Sequence, residues 1–236
     1  MSGTEPEGGE PHTVPLGPHQ ATTATIYRAA SPAGRLLVLA HGAGAGQHHP
    51  FMTAIASKLA SRGLDVVTFD FNYIHERRKV PDRAPALEAC FGGVIDWAAG
   101  REEFTSRRLL AGGKSMGGRM ATHLAAAGFV ARSGTGPALS GVVTLGYPLH
   151  PPGKPLQLRI AHLGAIRAPW LIVQGSRDTF GTPDELRPVV DGLTAAVTLH
   201  VVEGGDHSFA VARTPRDTVL AAVADVVVHW ADSSNV

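Results

Sequence analysis

Four short segments of this 236-residue chain carry the groups that carbonyl chemistry needs. The first is Gly113-Lys114-Ser115-Met116-Gly117, a G-x-S-x-G pattern between the apolar run Arg108–Gly112 and the Ala-rich segment Gly117–Gly128. A serine oxygen that attacks a carbonyl must stand clear of its sheet on a sharp strand-to-helix turn, and glycines two residues to either side leave room for that turn. The second is His41-Gly42-Ala43-Gly44-Ala45-Gly46, directly after Leu36–Ala40. Such a loop can present a backbone N–H to a substrate oxygen, so the amides of Ala43 and Met116 are the expected oxyanion donors. The third, Gln174-Gly175-Ser176-Arg177-Asp178, and the fourth, Gly204-Gly205-Asp206-His207-Ser208-Phe209, lie where two further apolar runs end. In chain order these give Ser115 as nucleophile, Asp178 as orienting acid and His207 as the base that takes the serine proton.

Other readings of these residues are weaker. Gly113-Lys114-Ser115 resembles the end of a phosphate-binding loop, but that motif requires a glycine five residues before Gly113, where Arg108 stands. Asp206 and Asp184 compete with Asp178 for the acid's role. Asp206 adjoins His207, which points the two side chains apart, and Asp184 falls inside a helix start, so Asp178 is preferred. His48, His49 and His150 lack a third ligand at a recognisable spacing, so no metal and no cofactor is expected. Arg77-Arg78-Lys79 reads as a solvated loop. Cys90, the single cysteine, reads as a small buried apolar residue.

The elements that must position these groups follow from the alternation of apolar runs with segments of helical period. Leu36–His41, Leu64–Asp70, Arg108–Gly112, Gly141–Gly146, Trp170–Gly175 and Thr198–Glu203 read as strands, most of them continuously apolar, as strands buried on both faces are. Helices are expected over Phe51–Ser61, Pro85–Ala99 and Gly117–Gly128, from a Thr182 N-cap to about Asp191, and from Pro215 to Trp230. Strands alternating with helices predict a parallel sheet covered on both faces, with ligands gathering at the carboxyl ends of the strands. Thr22–Ala29 is a candidate edge strand. Residues 1–20, rich in Pro, Gly and Glu, read as a flexible tail, leaving 21–236 as one domain.

Composition narrows the function classes. A formal net charge of +1 offers no basic face for nucleic acid and no pull toward an anionic membrane. No apolar run approaches membrane-spanning length and the N-terminus has no secretory character, so a cytoplasmic location is expected.

These residues resemble the α/β-hydrolase superfamily, and within it the small lidless branch described as dienelactone-hydrolase-like. The chain is similar there to a testis-expressed animal protein and to the hydrolase-like region of a scaffold subunit of the NSL histone-acetyltransferase complex. The resemblance rests on LAHGAGAGQHHPFM, GGKSMGGRMA, LGYPLHPPGKP, LQLRIAHL, QGSRDTFG and GDHSFAV, across roughly residues 36–230. It implies an eight-stranded, mostly parallel sheet without a separate lid domain, with Ser115 as nucleophile, His207 as base and Asp178 as acid. Dienelactone hydrolases proper use a cysteine where this chain has Ser115, so the expected substrate is a small ester or thioester of another kind. The pocket is expected to be open and shallow, walled by Gly42, His48, Tyr147 and the Pro-rich 148–155 segment. Acyl transfer or amide hydrolysis on the same triad, or a non-catalytic interaction module keeping the fold, are the alternatives; oligomeric state is left open.

Overall fold

A computed structural model describes residues 9–131 and 138–233. The strands are β1 (Glu10–Gly17), β2 (Gln20–Tyr27), β3 (Arg35–Ala40), β4 (Asp65–Phe69), β5 (Arg108–Lys114), β6 (Gly141–Leu145), β7 (Trp170–Gly175) and β8 (Val197–Val202). The helices are α1 (Pro50–Ala60), the single turn α2 (Asn72–His75), α3 (Ala84–Ala99), α4 (Met116–Ala126), α5 (Pro183–Val190) and α6 (Arg216–Ala231). All eight strands form one sheet in the order β1-β2-β4-β3-β5-β6-β7-β8, parallel from β4 to β8 and antiparallel at β1 and β2.

The continuous apolar runs serve two cores at once. In β3, Leu36, Val38 and Ala40 face α3 and α4, while Leu37 and Leu39 face α1 and α6. In β7, Trp170 and Ile172 point to the first side and Leu171 and Val173 to the second. The period-2 alternation of strand side chains thus fills both layers, so polar outward positions are missing from the pattern. Cys90 packs in the α3 layer, where burial pushes its thiol up to about 12 and keeps it inert. Between β6 and β7 the chain holds one short 3-10 turn, Leu163–Ala165, and no lid domain is built among the described residues. None of the described helices is long and apolar enough to cross a membrane.

Helix starts follow their sequence signals. Pro50 opens α1, with the His49 ring accepting the Phe51 N–H at 3.2 Å. Thr182 and Glu185 form a reciprocal capping box at the head of α5.

The N-terminal reading needs correction. Residues 1–8 of the expected tail lie outside the described residues, but Glu10–Gly17 is an ordered strand paired with β2 from Glu10↔Ile26 to Gly17↔Gln20. His12, Val14 and Leu16 turn inward while Pro11, Thr13 and Pro15 face out, a one-sided alternation carried by few apolar residues. Two prolines are tolerated because β1 is an edge strand, where missing N–H groups break no ladder on the open side. Val14 is fully buried. Val14→Ala is therefore expected to cost roughly 2 kcal/mol of stability, and deletion of residues 1–17 more, both read from urea midpoints. An unchanged midpoint after the deletion would remove β1 from the cooperative fold.

Candidate active site

Ser115 is the single residue between the end of β5 and the start of α4. Its backbone sits at φ 51 and ψ −114, a conformation that costs a non-glycine residue roughly 1–3 kcal/mol. Two hydrogen bonds hold it there. The Ser115 N–H donates to the Leu145 carbonyl at 3.1 Å, and its own carbonyl accepts the Arg119 N–H at 3.0 Å. The flanking glycines are dictated by contact. A Cβ on Gly113 would lie 2.6 Å from the Ala40 carbonyl oxygen, and one on Gly117 would lie 2.5 Å from the same atom. Ala40 ends β3, so no flexible side chain is there to give way.

The turn aims the hydroxyl at a histidine from far along the chain. His207 Nε2 lies 2.8 Å from Ser115 Oγ, and His207 Nδ1 lies 2.7 Å from Asp178 Oδ2. An ionised carboxylate can only accept, so Nδ1 carries the ring proton and Nε2 is left to accept from the serine. Asp178 is fully buried and held from two further directions. The Gln174 side-chain amide donates to Oδ2 at 2.9 Å and the Phe180 N–H donates to Oδ1 at 2.8 Å. Phe180 also stacks on the His207 ring, with centroids 4.1 Å apart. Asp206 instead accepts the Ser208 and Ala210 N–H groups, and Asp184 stands exposed in the first turn of α5. This hydrogen-bonded chain can draw a proton from Ser115 and return it to a leaving group.

The facing loop, residues 41–47, is fixed by polar groups beneath it. His41 is wholly buried; its Nδ1–H donates to the Gly42 carbonyl at 2.8 Å and its Nε2 accepts the Phe71 N–H at 3.1 Å. Burial holds its pKa below the usual histidine value, in keeping with a neutral ring. Asp70 accepts the Gln47 N–H at 2.8 Å and ties the loop's far end to the tip of β4. Ala43 and Met116 both border the cleft at Ser115. Met116 is the first residue of α4, so its N–H has no acceptor within the helix and lies at the positive end of the helix dipole.

The cleft holds about 440 Å³. Gly42 lines it, but two expected wall residues do not. Tyr147 is fully buried against Trp170, with its hydroxyl donating to the Arg159 carbonyl at 2.7 Å. Gly146, at φ 71, turns the chain so that Pro148 rather than Tyr147 reaches the cleft. His48 is exposed and is not among the lining residues; its neighbour His49, the cap of α1, is. Of the other flagged histidines, His150 pairs with Glu185 at 3.2 Å. Sequence reasoning missed Lys114, Arg119, Arg159 and Arg216, which all line the cleft. Lys114 lies within the serine motif and Arg119 two residues past it, both within reach of inspection; Arg159 comes from the loop before β7 and Arg216 from the first residue of α6.

Lys114 is the least expected of these. Its ammonium is buried, lies 5.9 Å from the ring centres of Phe51 and Phe209, and has no hydrogen-bond partner among the described residues. Burial pushes its pKa down to about 8, although Asp178 and Asp206 pull the other way.

A family model described as an alpha/beta hydrolase domain matches residues 33–233, and the chain belongs to that family. Solved structures are similar along nearly the whole length. A serine hydrolase without a lid from Xanthomonas campestris is 18% identical, with 97% of this chain and 98% of that chain covered at a TM-score of 0.72. The dienelactone hydrolase from Anabaena variabilis is 20% identical over 94% and 95% of the two chains, also at 0.72. The esterase domain of a Rhodothermus marinus protein is 15% identical over 94% and 97%, at 0.68. These likenesses show a shared fold along nearly the whole of the chain.

The buried lysine yields a stability prediction. The folded chain releases the Lys114 proton near pH 8, whereas the unfolded chain keeps it until about 10.4. The unfolded state therefore binds more protons between these values, and stability rises with pH across that window. Below pH 8 the full cost of burying the charge is present. Lys114→Met is expected to stabilise the fold at pH 7 by up to about 3 kcal/mol and to lose the rise between pH 8 and 10 that the parent shows. Denaturant midpoints measured for both proteins across that range check it; a less stable Met variant at pH 7 would contradict it.

Proposed function

We propose that this alpha/beta hydrolase is a serine hydrolase that cleaves a small ester or thioester through an acyl-enzyme intermediate. The observation that carries the reading is the Ser115–His207–Asp178 hydrogen-bonded chain, with contacts of 2.8 and 2.7 Å, mounted on a serine held at positive φ. A strained turn that lifts one hydroxyl toward an imidazole has a purpose in nucleophilic attack and none in packing.

In this reading Ser115 Oγ forms a bond to the substrate carbonyl carbon as its proton passes to His207 Nε2. The carbonyl electron pair moves onto oxygen, and the Ala43 and Met116 amides hold that oxyanion; one such donor contributes roughly 3–4 kcal/mol. The pair then returns, the bond to the alcohol or thiol breaks, and His207 gives its proton to the leaving group. Water enters, loses a proton to His207 and attacks the acyl carbon, which releases the acid and restores Ser115. Asp178 stays ionised throughout and stabilises the imidazolium. The absence of a lid domain among the described residues and the modest cleft favour compact acyl groups over long lipid chains.

A fluorophosphonate probe read by intact mass tests the nucleophile directly. One adduct is expected on the parent protein and none on Ser115→Ala, with labelling slowed on the order of 10³-fold or more in His207→Ala. Asp178→Asn, which leaves the shape but favours the wrong ring tautomer, is expected to lower ester turnover by on the order of 10⁴. A folded parent that takes no label would overturn the hydrolase reading and leave the fold as an interaction module.

A further inference from the structure

We propose that the substrate carries an anionic group, a carboxylate or a phosphate, bound by arginines beside the scissile carbonyl. This deepens the hydrolase reading and rests on it. Four cationic side chains line the cleft, Lys114, Arg119, Arg159 and Arg216, and among the described residues no aspartate or glutamate does. In a chain whose formal net charge is +1, that is a local concentration of positive charge rather than general basicity.

The arginines there are set apart from many others in the molecule. Arg28, Arg35, Arg62, Arg78, Arg101 and Arg107 each pair with a carboxylate. Arg119, Arg159 and Arg216 have no such pair among the described residues. Arg159 makes one long hydrogen bond, to the Pro148 carbonyl at 3.4 Å, and Arg216 lies 5.7 Å from the centre of the Phe51 ring. The carboxylates whose charge reaches Lys114 are committed elsewhere, Asp178 to His207 and Asp206 to two backbone amides.

Like charges gathered in a half-desolvated cleft repel one another. Arg159 registers this, its guanidinium destabilised by burial first and by Arg119 second. An incoming anion removes the repulsion, and the planar guanidinium fork matches a carboxylate or phosphate with two parallel hydrogen bonds. Low-dielectric walls also focus the field and draw anions inward. The lining around these charges is apolar, with Phe51, Met52, Phe180 and Pro148. That combination suits a short acyl chain ending in a charge.

Three 4-nitrophenyl esters of equal acyl length distinguish the possibilities: one ending in a carboxylate, one in a phosphonate, one in a neutral methyl ester. An anionic ester is expected to exceed the neutral one in kcat/KM by about tenfold or more at low salt, chiefly through KM. Whichever anion leads identifies the source of the charge. The ratio is expected to fall toward unity at about 0.5 M salt and in Arg159→Gln/Arg216→Gln, two partly or fully exposed positions where folding is not at stake. Calorimetric titration of Ser115→Ala with glutarate and with inorganic phosphate supplies a readout free of turnover. Absence of fluorophosphonate labelling of the parent overturns the hydrolase reading. Labelling that proceeds, with no anionic preference and no binding of glutarate or phosphate, overturns this inference alone.

Discussion

The contact on which the rest of the structure depends is between backbones: α4 begins one residue after β5 ends and crosses against the last carbonyl of β3. Gly113 and Gly117 have no side chains because Ala40 occupies the space. That approach forces Ser115 to positive φ and frees the Met116 N–H at a helix start. It also fixes where β3 must release the 41–47 loop, so both expected oxyanion donors are placed by one constraint. The strain of roughly 1–3 kcal/mol at the serine is small beside two filled layers of apolar side chains.

Polar groups at the site divide into two kinds. Beneath the surface several are bound more than once: Gln174 serves Tyr147, Asp178 and Gly181, while Asp70 serves Gln47 and Thr23. Buried groups left unmatched would cost more than they contribute, and bonds from Gln174, Phe180 and His207 leave Asp178 one orientation. On the walls of the cleft the reverse holds, with guanidinium groups that have no carboxylate partner and an interior ammonium that has no hydrogen bond among the described residues. Rigidity is thus concentrated behind the reacting atoms, and unmet charge is concentrated where a ligand sits.

Much of this was legible in the sequence for a physical reason. Strands buried on both faces cannot alternate, so β3 to β7 stand out as apolar runs, the half-exposed edge strand β8 continues their alternation with helices, and the sheet topology then makes the residues after them the ones to read. Ser115, Asp178 and His207 all come from that rule. β1 escaped it because an edge strand needs only His12, Val14 and Leu16 on one side, and its prolines resemble loop composition. Tyr147 and His48 were misjudged by one residue each: a left-handed glycine in the first case, and the choice of helix cap in the second, reversed which neighbour faces the cleft. Arg159 and Arg216 lie 44 and 101 positions beyond Ser115, and nothing local marks them as its neighbours.

The relay from Ser115 to His207 joins residues 92 apart in the chain, and Asp178 enters from a third strand end. No fragment ending before β8 contains all three groups. An activated serine would therefore report on completion of the native topology, including the slow, non-local parallel pairings. During synthesis the proposed nucleophile has no base until His207 has emerged, so reactivity waits on the last strand of the sheet.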